Sequence, residues 1–115
     1  MRRGEVWTAA GGSDYAGKPR PVVVVQDDLF SETHSVTVCA FTTDPAEAPL
    51  FRIEIVPSST NGLALVSRLM ADKVTTMPRS KLGRRVGQLG PSDMARLNQA
   101  LMVFLGLAGR ARSSN

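Results

Sequence analysis

Four consecutive valines, Val22 to Val25, stand directly behind the segment Pro19-Arg20-Pro21. A continuous β-branched run of this length indicates a strand that is buried on both faces. Proline fixes its own φ and restricts the residue before it, so Arg20 is held extended between two stiff neighbours. The sequence therefore predicts a rigid cation at the mouth of a core strand, where it is well placed to act on a ligand.

Six segments have the composition of strands, and turns rich in glycine, proline and polar residues separate them. They cover residues 5–10, 20–26, 35–41, 51–56, most of 63–77, and 84–89. We expect the fifth strand to bend near Ala71-Asp72 and a short helical turn to follow in RSKLG. The strongest turn signal between strands is Asn61-Gly62.

The last element is an amphipathic helix that begins after Gly90-Pro91, with Ser92 as its predicted N-cap. The apolar positions with helical spacing are Met94, Leu97, Leu101, Phe104, Leu105 and Ala108. Short strands followed by one terminal helix predict a small, strongly curved, barrel-like β-sheet with the helix packed on it. We expect one domain over residues 1–109 and a disordered tail at 110–115.

The composition restricts the chemistry available to this chain. Cys39 is the only cysteine and His34 the only histidine, which excludes an internal disulfide, a cysteine metal cluster and a His–His acid–base pair. We therefore expect no metal site built from histidine or cysteine, and we expect no cofactor. The net charge of +4 favours a polyanionic partner such as nucleic acid or an acidic protein.

The same composition gives no sign of membrane insertion or secretion. No apolar stretch approaches the ~20 residues that span a bilayer. Arg2 and Arg3 are not followed by the apolar region of a signal peptide. We expect a cytoplasmic protein with no membrane partner.

The order of several motifs resembles a known family. RRGEVW, a glycine-containing loop, KPRPVVVVQDD and then VTVCAFTTDP are similar to the MazF/PemK (Kid) family of toxin endoribonucleases. SRLMADKVTTMPRSKLGRRVGQL resembles the strand–short helix–strand segment of that family, and SDMARLNQALMVFLGL its terminal helix. The resemblance covers about residues 2 to 107.

This resemblance implies a mostly β fold, an SH3-like small barrel with a short helix and a C-terminal α-helix. It also implies a homodimeric, metal-independent toxin that cuts single-stranded RNA at short sequence motifs. The RNA 2′-hydroxyl would be the nucleophile, and a cognate MazE-like antitoxin would neutralise the toxin. The sequence does not indicate the cleavage motif or the class of RNA.

The catalytic arginine and threonine of the family fall on Arg20 and Thr42. A forked guanidinium can donate two hydrogen bonds to the non-bridging oxygens of a phosphate, and Thr42 could donate another or orient the phosphate. Thr43 is the natural rival of Thr42, because a register slip of one residue reverses the face of a side chain. The identity of the general base stays open.

Four residues are candidate RNA contacts by the same resemblance: Lys18, Thr43, Asp72 and Lys73. Lys18 stands beside the glycine loop and would bind a phosphate, although an ordinary exposed lysine is an equal alternative. Asp72-Lys73 aligns with a base-contacting pair, or is a solvated strand end. Many relatives carry glutamine where this chain has Lys73, and lysine cannot accept a hydrogen bond, which puts the base preference in doubt.

The remaining notable side chains have structural interpretations. We place His34 in a loop outside the active site, and we interpret Cys39 as a buried hydrophobe and Trp7 as a packing residue. Tyr15, in a predicted flap at residues 11–18, is the one aromatic candidate for base stacking. The basic patch formed by Lys81, Arg84 and Arg85 could extend the RNA path, contact an antitoxin or simply be solvated.

Two other functions compete with the ribonuclease. One is a toxin of the same fold that acts by binding, as CcdB does on DNA gyrase. The other is a non-catalytic nucleic-acid module, although aromatic residues make up only 5% of the chain. An Arg20→Ala protein that still arrests growth without cutting RNA would favour the CcdB-like alternative.

Overall fold

The computed structural model describes residues 1–10 and 18–109, and in them one sheet of six strands precedes an α-helix. The elements are β1 (Glu5–Ala9), β2 (Arg20–Val24), β3 (Ser35–Thr42), β4 (Arg52–Ile55), β5 (Ser67–Pro78), β6 (Leu82–Gln88) and α1 (Pro91–Phe104). The strand order is β4-β5-β3-β2-β1-β6 and all neighbours are antiparallel. The predicted mostly β fold with a terminal helix is confirmed, as an open sheet with edges at β4 and β6.

The sheet carries a hydrophobic core on each face. On one face, Phe41 and Leu69 belong to the cluster that also contains Leu97 and Ala100 of α1. The opposite face has its own cluster, which contains Ala9, Val22, Val24, Val36, Val38 and Leu82. Val23 belongs to the first cluster and its two neighbours to the second, so β2 is buried on both faces as its valine run predicts.

Strand β5 differs most from its prediction. It was expected to cover most of residues 63–77; it begins at Ser67 and extends to Pro78. Its register with β3 shifts between Cys39 and Phe41, the partners of Val74 and Leu69. The irregularity thus contains Ala71-Asp72, where a bend was expected. The predicted helical turn is a 3₁₀ turn at Arg79–Lys81, and a second 3₁₀ turn lies at Asp28–Phe30.

The helix begins differently from its prediction. Gly90 is the N-cap, with extended φ and ψ of −69° and 161°, and Pro91 is the first helical residue. The choice of Ser92 as N-cap is therefore wrong. Proline suits the first helical position because its φ is already helical and its missing N–H has no partner there. The helix ends at Phe104, so Leu105 and Ala108 lie beyond it.

The turn at Asn61-Gly62 is held by a buried amide. Asn61 is 2% exposed; its Oδ1 accepts hydrogen bonds from the N–H groups of Ser58 and Leu63, and its Nδ2 donates to the Val56 carbonyl at 2.9 Å. Gly62 has a φ of +73°, which favours glycine. This turn fixes the loop that leads into β5.

Two predictions concern segments outside the described residues: the flap at 11–18, apart from Lys18, and the tail at 110–115. Within residues 1–10 and 18–109, no helix has the length and apolar character to cross a membrane.

Candidate active site

The pairing of β2 with β3 brings Arg20 and Thr42 to one place. Val22 lies opposite Ala40 in this antiparallel pair. Arg20 precedes Val22 by two residues and Thr42 follows Ala40 by two, so the same register sets Arg20 beside Thr42. Side chains two residues apart on a strand share a face. Arg20 is the first residue of β2 and Thr42 the last of β3. The sheet therefore presents a guanidinium and a hydroxyl together at one edge of its second core.

Arg20 and Thr42 line an open cleft of about 270 Å³. The other lining residues are Phe41, Thr43, Asp44, Arg52, Met70 and Lys73. The cleft thus gathers four of the residues singled out from the sequence, namely Arg20, Thr42, Thr43 and Lys73. Both threonines line it because Thr43 lies beyond the end of β3, where strict alternation between faces no longer applies.

The hydroxyl of Thr42 is oriented by the loop that follows it. Its Oγ1 accepts a hydrogen bond from the N–H of Asp44 at 3.1 Å. The Asp44 Oδ1 in turn accepts one from the N–H of Ala46 at 3.0 Å. A hydroxyl has one proton to donate and two lone pairs. Because Oγ1 acts as the acceptor here, its proton is available to an oxygen bound in the cleft.

A second cavity of about 460 Å³ adjoins the cleft, since Arg20 and Thr43 line both. Lys18 lines this second cavity, not the first. The rest of its wall is formed by Thr8, Pro19, Pro21, Gly62, Leu63, Ala64, Leu65, Ser67 and Val86. Lys18 is therefore separate from Lys73, and Arg20 lies between the two cavities.

Asp72 is paired with Arg52, a residue that the sequence analysis did not identify. Arg52 Nε donates to Asp72 Oδ1 at 2.9 Å and Arg52 Nη2 donates to Oδ2 at 3.0 Å. Each side chain is 16% exposed. The hydrogen bonds from Arg52 lower the pKa of Asp72, and the bond to Asp72 raises the pKa of Arg52. Both Asp72 oxygens thus already accept hydrogen bonds from the protein.

The signal that could have revealed Arg52 was weak. The period-two pattern of FRIEIV indicates only that Arg52 and Glu54 share one face of a strand. Its proximity to Asp72 depends on the β4–β5 register, in which Arg52 lies opposite Met70. That register is a tertiary property, which the local pattern does not encode.

Three residues for which the sequence predicted structural positions are described by the structure: His34, Cys39 and Trp7. His34 is exposed in the connection between β2 and β3 and is not among the residues that line the cleft. Cys39 is fully buried, and burial raises its pKa to about 12. Trp7 packs against the second core and donates from Nε1 to Glu5 Oε1 at 2.9 Å. From the basic patch, Arg85 pairs with Glu5 at 3.6 Å.

Within the described residues, no three histidine, cysteine, aspartate or glutamate side chains cluster so that they could hold a metal ion.

Residues 2–105 match the family described as "PemK-like, MazF-like toxin of type II toxin-antitoxin system". The "Probable endoribonuclease MazF" of Mycolicibacterium smegmatis is 58% identical over 109 residues, which are 95% of this chain and all of that protein. "Endoribonuclease MazF9" of Mycobacterium tuberculosis is 30% identical over 117 residues, covering 93% of this chain and 98% of its own.

Solved structures of similar proteins share the fold. "Endoribonuclease in complex with its cognate antitoxin from Mycobacterial species" has a TM-score of 0.79 at 25% identity, covering 96% of this chain and 99% of its own. "Mycobacterium tuberculosis toxin MazF-mt6" has a TM-score of 0.75 at 26% identity, covering 90% and 97%. These similarities give no support to the CcdB-like alternative.

Proposed function

This chain belongs to the PemK-like, MazF-like toxins of type II toxin–antitoxin systems and is a toxin endoribonuclease; we propose that Arg20 and Thr42 act on the scissile phosphate of single-stranded RNA. The observation that supports this assignment most directly is that both side chains line one open cleft. The β2–β3 register also supports it, since Val22 lies opposite Ala40 and each is two residues from its candidate catalytic residue.

The reaction needs no nucleophile from the protein. The 2′-oxygen of the RNA attacks the adjacent phosphorus and loses its proton, while the bond from phosphorus to the 5′-oxygen breaks and that oxygen gains a proton. The products are a 2′,3′-cyclic phosphate and a 5′-hydroxyl. What the enzyme must supply is stabilisation of the negative charge that develops on the non-bridging oxygens.

Arg20 and Thr42 are suited to that task. The fork of the Arg20 guanidinium can donate to two non-bridging oxygens at once. Pro19 and Pro21 restrict the backbone on both sides of Arg20, which limits the directions in which its side chain can leave the strand. The Thr42 hydroxyl, which accepts from Asp44 N–H, can donate its proton to the same phosphate.

The flanking RNA runs through both cavities in this proposal. Lys73 lines the cleft, and Lys18 lines the neighbouring cavity. Each ammonium can contact a phosphate on one side of the cut. Thr43, which lines both cavities, contacts the strand between them.

The decisive experiment is incubation of the purified protein with a long mixed-sequence RNA in EDTA, with primer-extension mapping of the cuts. We expect discrete cuts. Arg20→Ala should lower the cleavage rate by about 10²–10³-fold, the cost of removing a preorganised transition-state donor, and Thr42→Ala should also slow it.

Matched controls separate a loss of chemistry from a loss of folding. Thr37→Ala removes a β3 threonine whose hydroxyl bonds to Thr76 at 2.7 Å away from the cleft. Arg96→Ala removes an arginine of α1. Both should keep wild-type rates. Intact RNA with the wild-type protein, or equal rates for Arg20→Ala and Thr37→Ala, would contradict the assignment.

We also propose that a cognate MazE-like antitoxin inhibits the enzyme by laying an acidic and apolar tail over the site. The second cavity supports this, because cationic Lys18 and Arg20 line it together with apolar Leu63 and Leu65. A synthetic peptide of the antitoxin tail should block cleavage and be displaced by excess RNA. Inhibition that excess RNA cannot relieve would argue against competition at this site.

We further propose a homodimer that acts in the cytoplasm. The support for the dimer is an apolar surface beside the Asn61 turn, where Val56 and Val66 are exposed. Light scattering should give a mass twice that of the chain, and Val56→Lys should shift the mass towards the monomer. A monomer at micromolar concentration would contradict the dimer.

A further inference from the structure

We propose that Arg52 reads one base of the RNA next to the cut, and that Asp72 is the positioning residue that holds Arg52 for this purpose. The inference rests on the endoribonuclease function proposed above and names a specificity determinant of the same cleft. From the sequence, Asp72 itself was expected to contact a base of the RNA. In this proposal Arg52, the partner of Asp72, makes that contact.

The hydrogen bonds to Asp72 use only part of the Arg52 guanidinium. Nε and one proton of Nη2 face the carboxylate. A guanidinium has five N–H donors, so three remain: both protons of Nη1 and the second proton of Nη2. They form a fork on the edge away from Asp72, and within residues 1–10 and 18–109 no acceptor takes them. Arg52 itself lines the cleft.

The fork is held in a defined orientation. Two hydrogen bonds fix the guanidinium plane to Asp72, and the Arg52 Cζ lies 5.8 Å from the centre of the Phe51 ring. With 16% of the side chain exposed, little freedom is left. Base recognition needs donors that are fixed in this way.

The charge balance favours a base over a phosphate as the ligand. The negative charge of Asp72 offsets the positive charge of Arg52, so the pair offers directional donors with little net attraction for a phosphate. Lys73 lines the same cleft and has the free-moving point charge that suits a phosphate. Phe41 and Met70 line the cleft as well and give an apolar wall for a base.

The shape of the fork selects among the bases. Two parallel donors pair with two neighbouring acceptors, as in the bidentate contact of arginine with O6 and N7 of guanine. Cytosine offers such a pair in O2 and N3. In adenine and uracil each ring or carbonyl acceptor of the base edge has an N–H donor as its neighbour, so neither base presents two adjacent acceptors. Unstacked bases of single-stranded RNA expose these edges, so we infer a preference for guanine or cytosine at one position flanking the cut.

The test starts from the cuts mapped with the wild-type protein. Short RNA substrates spanning one mapped site carry each of the four bases in turn at every flanking position, and kcat/KM is measured for each. We expect one position at which guanine or cytosine is preferred by about 10–100-fold. Arg52→Lys, which keeps the charge but loses the fork, should reduce that preference to a few fold and leave the other positions unchanged.

Asp72→Asn should have the same selective effect, and Asp72→Glu should restore part of the preference. A merely structural role of Asp72 would change kcat/KM for all substrates alike. Arg96→Lys is the matched control, since Arg96 Nη1 donates to the Glu54 carbonyl at 2.9 Å outside the cleft. Thermal unfolding checks each variant, and Arg52→Gln takes the place of Arg52→Lys if the latter does not fold.

The outcomes are distinguishable. An unchanged base preference in the Arg52 variants overturns the inference, as does a uniform loss over all substrates, which indicates a phosphate contact. A wild-type protein that prefers adenine or uracil at every flanking position overturns it too. A wild-type protein that cuts no RNA contradicts the proposed function itself.

Discussion

Cys39 shows what burial does to a reactive group at the scale of one residue. Its side chain is fully buried in β3, and burial raises its pKa to about 12. Only the thiolate is a good nucleophile. Iodoacetamide at pH 8 should therefore leave Cys39 unmodified in the folded protein and alkylate it after unfolding in guanidinium, as measured by intact mass. Rapid alkylation of the folded protein would contradict this burial.

The Asp72–Arg52 pair should make the free energy of unfolding depend on pH in the acidic range. Hydrogen bonds from Arg52 lower the pKa of Asp72 in the folded state. A carboxyl with a lowered folded pKa stabilises the fold above its unfolded pKa, and this stabilisation is lost as the pH falls through the folded pKa. Thermal unfolding from pH 7 down to about pH 2 should show the loss below about pH 4.

Substitution isolates the contribution of this pair. Asp72→Asn should lower the free energy of unfolding at pH 7 by about 1–3 kcal/mol and flatten its acid dependence. Asp93→Asn, on the exposed surface of α1 beside Arg96, should cost less than about 1 kcal/mol. Equal effects of the two substitutions would show that the Asp72 pair is no stronger than a surface ion pair.

The candidate residues differed in how far the sequence could predict their positions. Arg20 and Thr42 were proposed through a resemblance carried by motifs that are continuous in sequence, and both line the cleft. Arg52 was missed because only its contact with Asp72 distinguishes it from other strand arginines. Asp72 is twenty residues away in sequence and lies on the neighbouring strand. Asp72 was picked out without its partner, since a local pattern contains no information on which side chains meet.

At the scale of elements, the close approach of the Asn61 turn to β6 depends on glycine. A Cβ added at Gly87 would lie 2.4 Å from the carbonyl of Asn61, which is backbone and cannot move aside easily. Gly87→Ala should therefore lower the free energy of unfolding by about 1–3 kcal/mol. Gly90→Ala, where the Cβ meets nothing within 4 Å, should cost less than about 1 kcal/mol. Denaturant titration measures both.

A Gly87→Ala variant as stable as Gly90→Ala would show that the turn does not rest on β6. The same substitution should also slow RNA cleavage, because Gly62 to Leu65 leave this turn to line the second cavity.

Elements with strong periodicity were predicted well and their ends were not. The β-branched run of β2 and the alternation of β4 identified both strands within two residues. Most of residues 63–77 form β5 as expected. Its first residues do not, because Asn61 Oδ1 accepts a hydrogen bond from the Leu63 N–H and holds this stretch in a loop. The N-cap is Gly90 and not Ser92, because Pro91, whose φ is already helical, takes the first helical position.

At the scale of the molecule, the net charge of +4 and the cations that line both cavities lead us to expect that the proposed RNA binding is largely electrostatic. Releasing counterions from about three phosphates of a single strand gives a roughly twentyfold loss of affinity between 50 and 200 mM salt. We expect kcat/KM to fall by about that factor over this range. Lys18→Ala should reduce the slope; a rate independent of salt would exclude phosphate contacts as the main source of affinity.

The overall topology was only partly accessible from the sequence. Six strands and a terminal helix follow from local patterns, and the resemblance supplied a barrel. The open order of the strands, with β4 and β6 as edges, depends on long-range pairing that no single segment encodes.

The buried amide of Asn61 also links the chemical ageing of the chain to its fold. Asn-Gly is the dipeptide most susceptible to deamidation. In that reaction the backbone nitrogen of the glycine attacks the side-chain carbonyl of the asparagine, and a succinimide forms. Here that carbonyl is clamped by two backbone N–H groups and is out of contact with water. The folded toxin therefore protects the Asn61 side chain from deamidation, and each unfolding event removes that protection. The amount of isoaspartate at residue 61 would then record how long a molecule has spent unfolded.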